Sequence, residues 1–236
     1  MKKSVAFIVV GMAASASMAD GVDLRFKETG AGSNVKIQYG STSQNVFSGQ
    51  LLHEFSNGTG IMADIQGDFF TYCTDITQYV NRNGTRYEVT PLTQIPNAPG
   101  VTPMSFEQAQ AIRNLFAGAD GAQFGESVSN DLAAAFQLMV WEIVWDFGPG
   151  ESPVDLDLST GSFRASKTNG SSLSSGVLSQ FSTLRTYVGQ VSGVGGLVGL
   201  SSGSAQDQLF VVPGPGSGVL AGMGLLLATR RRRNRA

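Results

Sequence analysis

Cysteine and histidine are almost absent from this chain: among 236 residues there is one of each, Cys73 and His53. A single cysteine cannot form an internal disulfide, so a disulfide-stapled scaffold is excluded. One cysteine and one histidine also supply too few soft ligands for a zinc site. The sequence therefore predicts neither a bound metal ion nor a cofactor.

Charge is scarce as well, and the positive charge lies at the two ends. Charged residues make up 14% of the chain, and seven of its sixteen basic residues are Lys2, Lys3 and five arginines between positions 230 and 235. No acidic residue precedes Asp20 or follows Asp207, so the intervening part carries a formal net charge of -9. A body this acidic is a poor binder of phosphate backbones, which argues against nucleic acid as a partner.

The first nineteen residues have the three parts of a secretory signal. Lys2 and Lys3 are followed by a short apolar run at 5–12 and by the small-x-small sequence Ser17-Met18-Ala19. This pattern predicts cleavage between Ala19 and Asp20, and hence export. The alternative is an N-terminal membrane anchor, for which the apolar run is too short.

The C-terminal segment, 206–236, combines a proline turn, a short apolar stretch and an arginine block. The turn is Val212-Pro213-Gly214-Pro215, and the block is Arg230, Arg231, Arg232 and Arg233. The fourteen residues between them span roughly 21 Å as a helix, short of a hydrocarbon core of about 30 Å. We therefore expect a marginal, transient anchor in the inner membrane, with the arginines on the cytoplasmic side.

This three-part pattern resembles the PEP-CTERM sorting signal of bacterial envelope proteins, although Gly214 stands where that family usually has a glutamate. The resemblance implies recognition by a membrane exosortase, cleavage near the prolines and release to the cell surface or the extracellular matrix. The alternative is a plain short tail anchor.

The part between the ends, 20–205, predicts one α+β domain. Short alternating runs up to about residue 100 indicate strands, with a hairpin turn at Asn83-Gly84. Helical spacing then predicts two helices, Ser105 to Phe116 with a capping box to Gln108, and Asn130 to Trp145. A return strand is expected within 152–166, one more helix around 177–188, and a last strand at Leu209 to Val212. We expect an antiparallel β-sandwich or barrel with two packed helices.

The solitary Cys73 allows several interpretations. In the first, Cys73 is a free buried thiol. In the second, it forms an intermolecular disulfide. In the third, it is the nucleophile of an internal thioester. In the last case its sulfur attacks the side-chain amide of a glutamine and expels ammonia, provided that the fold holds the two together and excludes water. Gln137 is the one polar residue in "AAAFQLMVW". Taken alone, it is better explained as a core glutamine bonded to backbone.

Together the two elements resemble the thioester domains of bacterial surface adhesins, over roughly residues 60–165. Tyr72-Cys73 matches the aromatic-Cys element, and the later element is matched by Phe136-Gln137, Met139-Val140 and Trp141. A threonine is common in that family at the position of Phe136. The resemblance implies a Cys73–Gln137 thioester. We expect Tyr72, Phe136 and Trp141 to shield it, and His53 or Asp75 to help proton transfer.

By this resemblance the protein is a surface-displayed covalent binding module, and not an enzyme, since each molecule reacts once. Its partner, a surface protein or a polysaccharide, is not identified by the sequence. One alternative is a structural protein of the extracellular matrix or biofilm in which Cys73 and Gln137 only stabilise the fold. Another is a hydrolase, but no spacing among the carboxylates singles out a catalytic pair, and no EF-hand loop supports calcium at Asp155 and Asp157.

The two terminal segments predict two processing events. Export should leave Asp20 as the first residue, and a host with an exosortase should remove the arginine block. Replacing Pro213 and Pro215 by alanine should retain that block, because the turn that precedes the apolar stretch is lost. N-terminal sequencing and intact mass of the exported protein check both events. A mature protein that begins at Met1, or that keeps its arginines in its native host, would contradict them.

Overall fold

The computed structural model describes residues 19–119, 128–190 and 195–213, and in this part of the chain seven strands and three helices are formed. The strands are β1 (Gly21–Tyr39), β2 (Thr42–Thr59), β3 (Gly67–Cys73), β4 (Thr85–Thr90), β5 (Phe163–Lys167), β6 (Leu197–Ser202) and β7 (Ala205–Val211). The helices are α1 (Phe106–Gly118), α2 (Asn130–Asp146) and α3 (Ser175–Val188). The α+β class is confirmed.

All strand pairings are antiparallel, and they close into a ring. The order is β2-β3-β7-β6-β4-β1-β5, and β2 also pairs with β1. Six strands therefore form a small barrel, while β5 extends the sheet beyond β1. The long β1 makes this possible, because Gly21–Leu24 pair with β4 and Val35–Tyr39 pair with β5. Closure leaves few unpaired edges, as expected for a stable antiparallel barrel.

Two hydrophobic cores result from this arrangement. Side chains from five strands of the ring meet in the smaller core, which includes Val22, Phe55, Tyr87, Leu200 and Phe210. The larger core lies between the sheet and the helices, and α2 is its centre. Twelve consecutive residues of α2, 133–144, are buried. The apolar composition of this helix on all sides is explained by that central position.

The helix boundaries follow the capping signals. Ser105 accepts a hydrogen bond from the N–H of Gln108, and the Gln108 side chain accepts one from the N–H of Ser105, so the predicted capping box is confirmed. Ser129 caps α2 by accepting from the N–H of Leu132 at 3.2 Å. Both helices extend slightly beyond their predicted ends.

Several local predictions are wrong. Residues 74–84 form a loop, and β3 and β4 pair with other strands, so Asn83-Gly84 does not join a hairpin. The expected return strand is mostly turns with a short 3-10 helix at Pro153–Asp155, and only β5 is extended. By contrast, the helix expected around 177–188 is confirmed as α3, which packs against α1 and α2 as a third helix beside the two of the fold prediction. β6 lies in the Gly/Ser-rich segment, and β7 extends the domain past residue 205.

No helix in the described ranges is long and apolar enough to cross a membrane. The proposed sorting helix lies outside these ranges.

Two glycines allow β1 and β2 to approach closely at the point where these two paired strands pass from the barrel to α2. Gly32 and Gly49 are direct partners in the register, and both have a φ of 153°. A Cβ on Gly49 would lie 2.2 Å from the Ala31 carbonyl oxygen and 2.6 Å from the Gly32 Cα. Both contacts are with backbone atoms, so no side-chain rearrangement could make room for the added Cβ.

We expect Gly49→Ala to lower the free energy of unfolding by about 2 kcal/mol or more, because the strands must separate to admit the methyl group. Urea unfolding measures the change. Gly195→Ala is the matched control, since a Cβ at position 195 meets no atom within 4 Å and its backbone is not left-handed. Equal stability of the two variants would contradict the close approach.

Candidate functional site

Cys73 is the last residue of β3. Its backbone pairs with Gln208 of β7, and the next residue, Thr74, donates its N–H to the Asp207 carbonyl at 3.0 Å. The side chain is 3% exposed. On the other side of β3 the pairing with β2 ends at Thr71, which leaves that side of the Cys73 backbone for a partner other than a strand.

That partner is the side chain of Gln137, in the middle of α2. The N–H of Cys73 donates to Gln137 Oε1 at 3.0 Å, and Gln137 Nε2 donates to the Cys73 carbonyl at 2.7 Å. These are the two hydrogen bonds that a neighbouring strand would supply. Gln137 is fully buried, and this pairing satisfies its amide.

The same geometry brings the thiol to the amide. Cys73 Sγ lies 3.5 Å from Gln137 Oε1. Because a carbonyl bond is about 1.2 Å long, the Gln137 carbonyl carbon is no more than about 4.7 Å from the sulfur. The two residues that the sequence analysis paired, sixty-four positions apart, are thus in contact.

Electrostatics keep the thiol protonated. Burial raises the pKa of Cys73 far above its usual value, and the charge of Asp75 raises it further. The indole N–H of Trp141 acts in the opposite direction by favouring the thiolate. A free thiolate is therefore strongly disfavoured here.

The three residues predicted to shield the pair are all buried. Tyr72, Phe136 and Trp141 are 1%, 0% and 2% exposed. The rings of Tyr72 and Phe136 are 4.6 Å apart, and the ring of Phe116 packs edge-on against Phe136 at 4.8 Å. Trp141 lies one helical turn after Gln137 and packs near Phe163. Aromatic rings therefore separate the pair from solvent on the side of α2.

The two residues expected to assist proton transfer have other contacts. Asp75 is fully buried, and its Oδ1 accepts from the backbone and hydroxyl of Thr77, both at 2.7 Å. His53 Nδ1 is 3.0 Å from Thr71 Oγ1, whose hydroxyl donates to Gln208 Oε1. No hydrogen bond joins either side chain to Cys73 or Gln137 within the described residues. Their predicted role has no geometric support.

The terminal site residues are described only in part. The Ala19 carbonyl accepts from the Thr59 hydroxyl at 2.8 Å, and the Asp20 carbonyl accepts from the N–H of Val89 at 2.9 Å. Val212 donates its N–H to the Gly196 carbonyl just after β7 ends, and Pro213 is the last residue described. Gly214, Pro215 and Arg230 to Arg233 lie outside the described residues, as do residues 1–18.

One participant was not identifiable from the sequence: the backbone N–H of Cys73 itself. It donates to the oxygen on which negative charge would develop if sulfur attacked the amide. Backbone donors carry no sequence signal, so only the fold could show it. No group of three or more His, Cys, Asp and Glu side chains in the described ranges is already arranged to hold a metal ion.

Comparisons of this chain with protein-family models, with curated proteins and with solved structures gave no significant match.

His53 provides a pH test of this buried region. Burial lowers its pKa from 6.5 to about 4. The unfolded chain therefore binds a proton at a higher pH than the folded chain does. The stability that neutral His53 contributes is fully present above pH 6.5 and is lost as the pH falls through about 4.

In urea unfolding His53 should lower stability by at most about 1.4 kcal/mol per pH unit as the pH falls from 6.5 to 4. This slope adds to the opposite contributions of Glu142 and Asp207, whose pKa values burial raises to about 8 and about 6. His53→Gln, whose amide can still hydrogen-bond to Thr71, should reduce this slope. An unchanged slope in the variant would show that His53 titrates normally and is not enclosed as described.

Proposed function

We propose that this protein is an exported surface module that binds a partner covalently through an internal thioester between Cys73 and Gln137. The observation that carries the proposal is the contact of the sole thiol with the amide of a buried helical glutamine, at 3.5 Å from sulfur to oxygen. Proximity of this kind raises the effective concentration of the reacting groups by many orders of magnitude.

Formation of the bond needs only groups that are present. The Cys73 sulfur adds to the Gln137 carbonyl carbon, and the N–H of Cys73 stabilises the charge on Oε1. The amide nitrogen, held by the Cys73 carbonyl, takes the thiol proton and leaves as ammonia. The products are one S–C(=O) bond and one ammonia. The thioester also replaces a thiol whose pKa is raised by burial, so that its ionisation is disfavoured.

The thioester is then consumed in a second reaction, in which Cys73 is the leaving group. An amine or hydroxyl of the partner attacks the same carbonyl carbon, the C–S bond breaks, and the sulfur regains a proton as a thiol. The partner is then linked to Gln137 by an amide or ester. Because the acyl group is transferred once and not regenerated, this is single-use binding and not enzymatic turnover.

Burial would protect the thioester from hydrolysis until the protein meets its partner. Cys73, Gln137 and the three aromatic shield residues are each 3% exposed or less. Water is therefore kept from the carbonyl carbon. A large partner must displace part of this shield before its nucleophile arrives, so reaction should be slow with bulky amines and faster with small ones.

The location that fits this chemistry is the cell surface. The strand β1 begins at Gly21, directly after the predicted cleavage point, and the sorting pattern begins where β7 ends. Both predicted processing sites therefore flank the folded domain. In this proposal an exosortase processes the tail after transient anchoring, and the partner is a surface protein or polysaccharide.

A second candidate is a structural matrix protein, and one observation favours it. The Gln137 amide already has a donor and an acceptor in the Cys73 backbone. Without any covalent bond, this pairing joins β3 to α2 across the larger core. In that case Cys73 is a buried thiol that fills space.

Intact-mass spectrometry separates the two candidates. We expect thioester formation to make the purified protein lighter by one ammonia, because the reaction expels it. Cys73→Ala and Gln137→Ala should each lack this deficit. Gln110→Ala, which replaces a glutamine of α1, is the matched control and should keep the deficit. Methylamine should add once to the wild type and release one titratable thiol.

The outcomes are distinct. A full sequence mass with no methylamine adduct would rule out the covalent function and leave the structural one. A reductant-sensitive dimer would instead identify an intermolecular disulfide. A mass deficit that persists against every amine and hydroxyl offered would indicate a cross-link that serves only stability.

A further inference from the structure

Three buried polar side chains meet in the wall of the barrel, and the proposed thioester uses none of them. They are Thr71 of β3, His53 of β2 and Gln208 of β7, which are 1%, 1% and 0% exposed. In the register Thr71 pairs with Leu51, and His53 lies two residues further along β2. Gln208 pairs with Cys73, two residues after Thr71. His53 and Gln208 are therefore diagonal neighbours of Thr71, one on each side of β3.

The Thr71 hydroxyl lies between a base and an amide. Its oxygen is 3.0 Å from His53 Nδ1 and 2.8 Å from Gln208 Oε1. Adding the length of a C=O bond, about 1.2 Å, places the Gln208 carbonyl carbon no more than about 4.0 Å from the hydroxyl oxygen. A hydroxyl that contacts a base on one side and a carbonyl group on the other has the arrangement required for acyl transfer.

His53 is able to accept the hydroxyl proton. Burial lowers its pKa to about 4, so the imidazole is neutral near pH 7 and has one unprotonated nitrogen. Its Nε2 makes no hydrogen bond, so no contact there prevents Nε2 from carrying the ring proton while Nδ1 accepts from Thr71. The carbonyl of Leu51 raises the pKa of His53 and thereby favours the imidazolium that forms on proton transfer.

The Gln208 amide is held at both of its polar atoms. Its Nε2 donates to the Gln206 carbonyl at 2.9 Å, and its Oε1 accepts from the Thr71 hydroxyl. These contacts direct the carbonyl group toward Thr71. The ring of Phe26 packs edge-on against His53, with 5.6 Å between the ring centroids, and it encloses the group further. Burial of this kind keeps out water, which would otherwise compete as a nucleophile.

We propose that Thr71 and Gln208 form a second internal cross-link, an ester between β3 and β7, with His53 as the general base. The Thr71 oxygen adds to the Gln208 carbonyl carbon while its proton passes to His53 Nδ1. The C–N bond of the amide then breaks, and the nitrogen takes the proton from His53 and leaves as ammonia. The products are one O–C(=O) bond and one ammonia, and the histidine is neutral again.

The ester stabilises the strand that carries Cys73. It joins two residues 137 positions apart, so it restricts the unfolded chain in the way that a disulfide closing a long loop does. It also joins β3 to β7, the last strand before the C-terminal segment. A covalent bond at this point holds the two strands together when the proposed surface module is pulled by its partner.

The test uses the full chain carrying Cys73→Ala, in which the thioester cannot form. We expect this variant to be lighter than its own sequence mass by one ammonia. Adding Thr71→Val should restore the full mass because valine lacks the hydroxyl, whereas adding Thr71→Ser should keep the deficit. Thr74→Val is the matched control, since Thr74 is buried and its hydroxyl has no hydrogen-bond partner, and it should keep the deficit too.

His53→Gln, added to Cys73→Ala, tests the base separately. After refolding, the mass deficit should appear about 100-fold more slowly than in Cys73→Ala alone, because a general base contributes roughly that much or more. An unchanged rate would overturn the role of His53, since a merely structural residue would not alter the rate of bond formation.

Peptide mapping of Cys73→Ala locates the bond without a change at Thr71. A digest should contain two peptides joined between Thr71 and Gln208, and alkaline hydroxylamine should separate them, leaving a hydroxamate at Gln208. A full sequence mass in Cys73→Ala would overturn the proposal, as would a deficit that survives Thr71→Val or maps to other residues. The thioester is then measured by the mass difference between the wild type and Cys73→Ala, so failure of either bond leaves the other test intact.

Discussion

The pair of hydrogen bonds between the Gln137 amide and the Cys73 backbone connects the two layers of this protein. Helix α2 is apolar on every side, and it can lie in the core only if its one uncharged polar side chain there finds partners. The end of β3 supplies them, because the pairing of β2 with β3 stops at Thr71, before Cys73. Satisfying this glutamine fixes the position of α2 along β3. It also fixes the position of the sulfur against the amide.

Burial has two opposite effects on the proposed chemistry. It raises the pKa of the Cys73 thiol, so the attacking thiolate is rare. It also excludes water, so a thioester once formed is protected. A single slow reaction during or after folding tolerates the first effect and benefits from the second.

The acidic residues on the barrel and those around α2 have different partners. On the barrel, Arg25 with Glu54 and Lys27 with Asp68 form exposed ion pairs, which contribute little to stability. Around α2, by contrast, four carboxylates share one pocket with no basic residue lining it. Arg185, in the last turn of α3, donates to the carbonyls of Val154 and Leu156. The carboxylates beside α2 accept hydrogen bonds from backbone amides instead, and they are those of Glu142, Asp146, Glu151 and Asp155.

The sequence by itself determined the α+β class, the capping box at Ser105, the extent of α2 and the choice of Cys73 and Gln137 as a pair. The first three rest on local signals, namely side-chain periodicity and caps. The pair was chosen because its two elements resemble the thioester domains of bacterial surface adhesins. The hairpin predicted at Asn83-Gly84 and the strand predicted after α2 were wrong, because turn residues and alternation do not specify which strands pair. Only the tertiary structure decided the closure of the barrel, the contact of Cys73 with Gln137 and the gathering of Glu142 and Asp146 with loop carboxylates. Each of these joins residues far apart in the chain, and contacts of that kind are fixed by packing of the whole domain and not by local sequence.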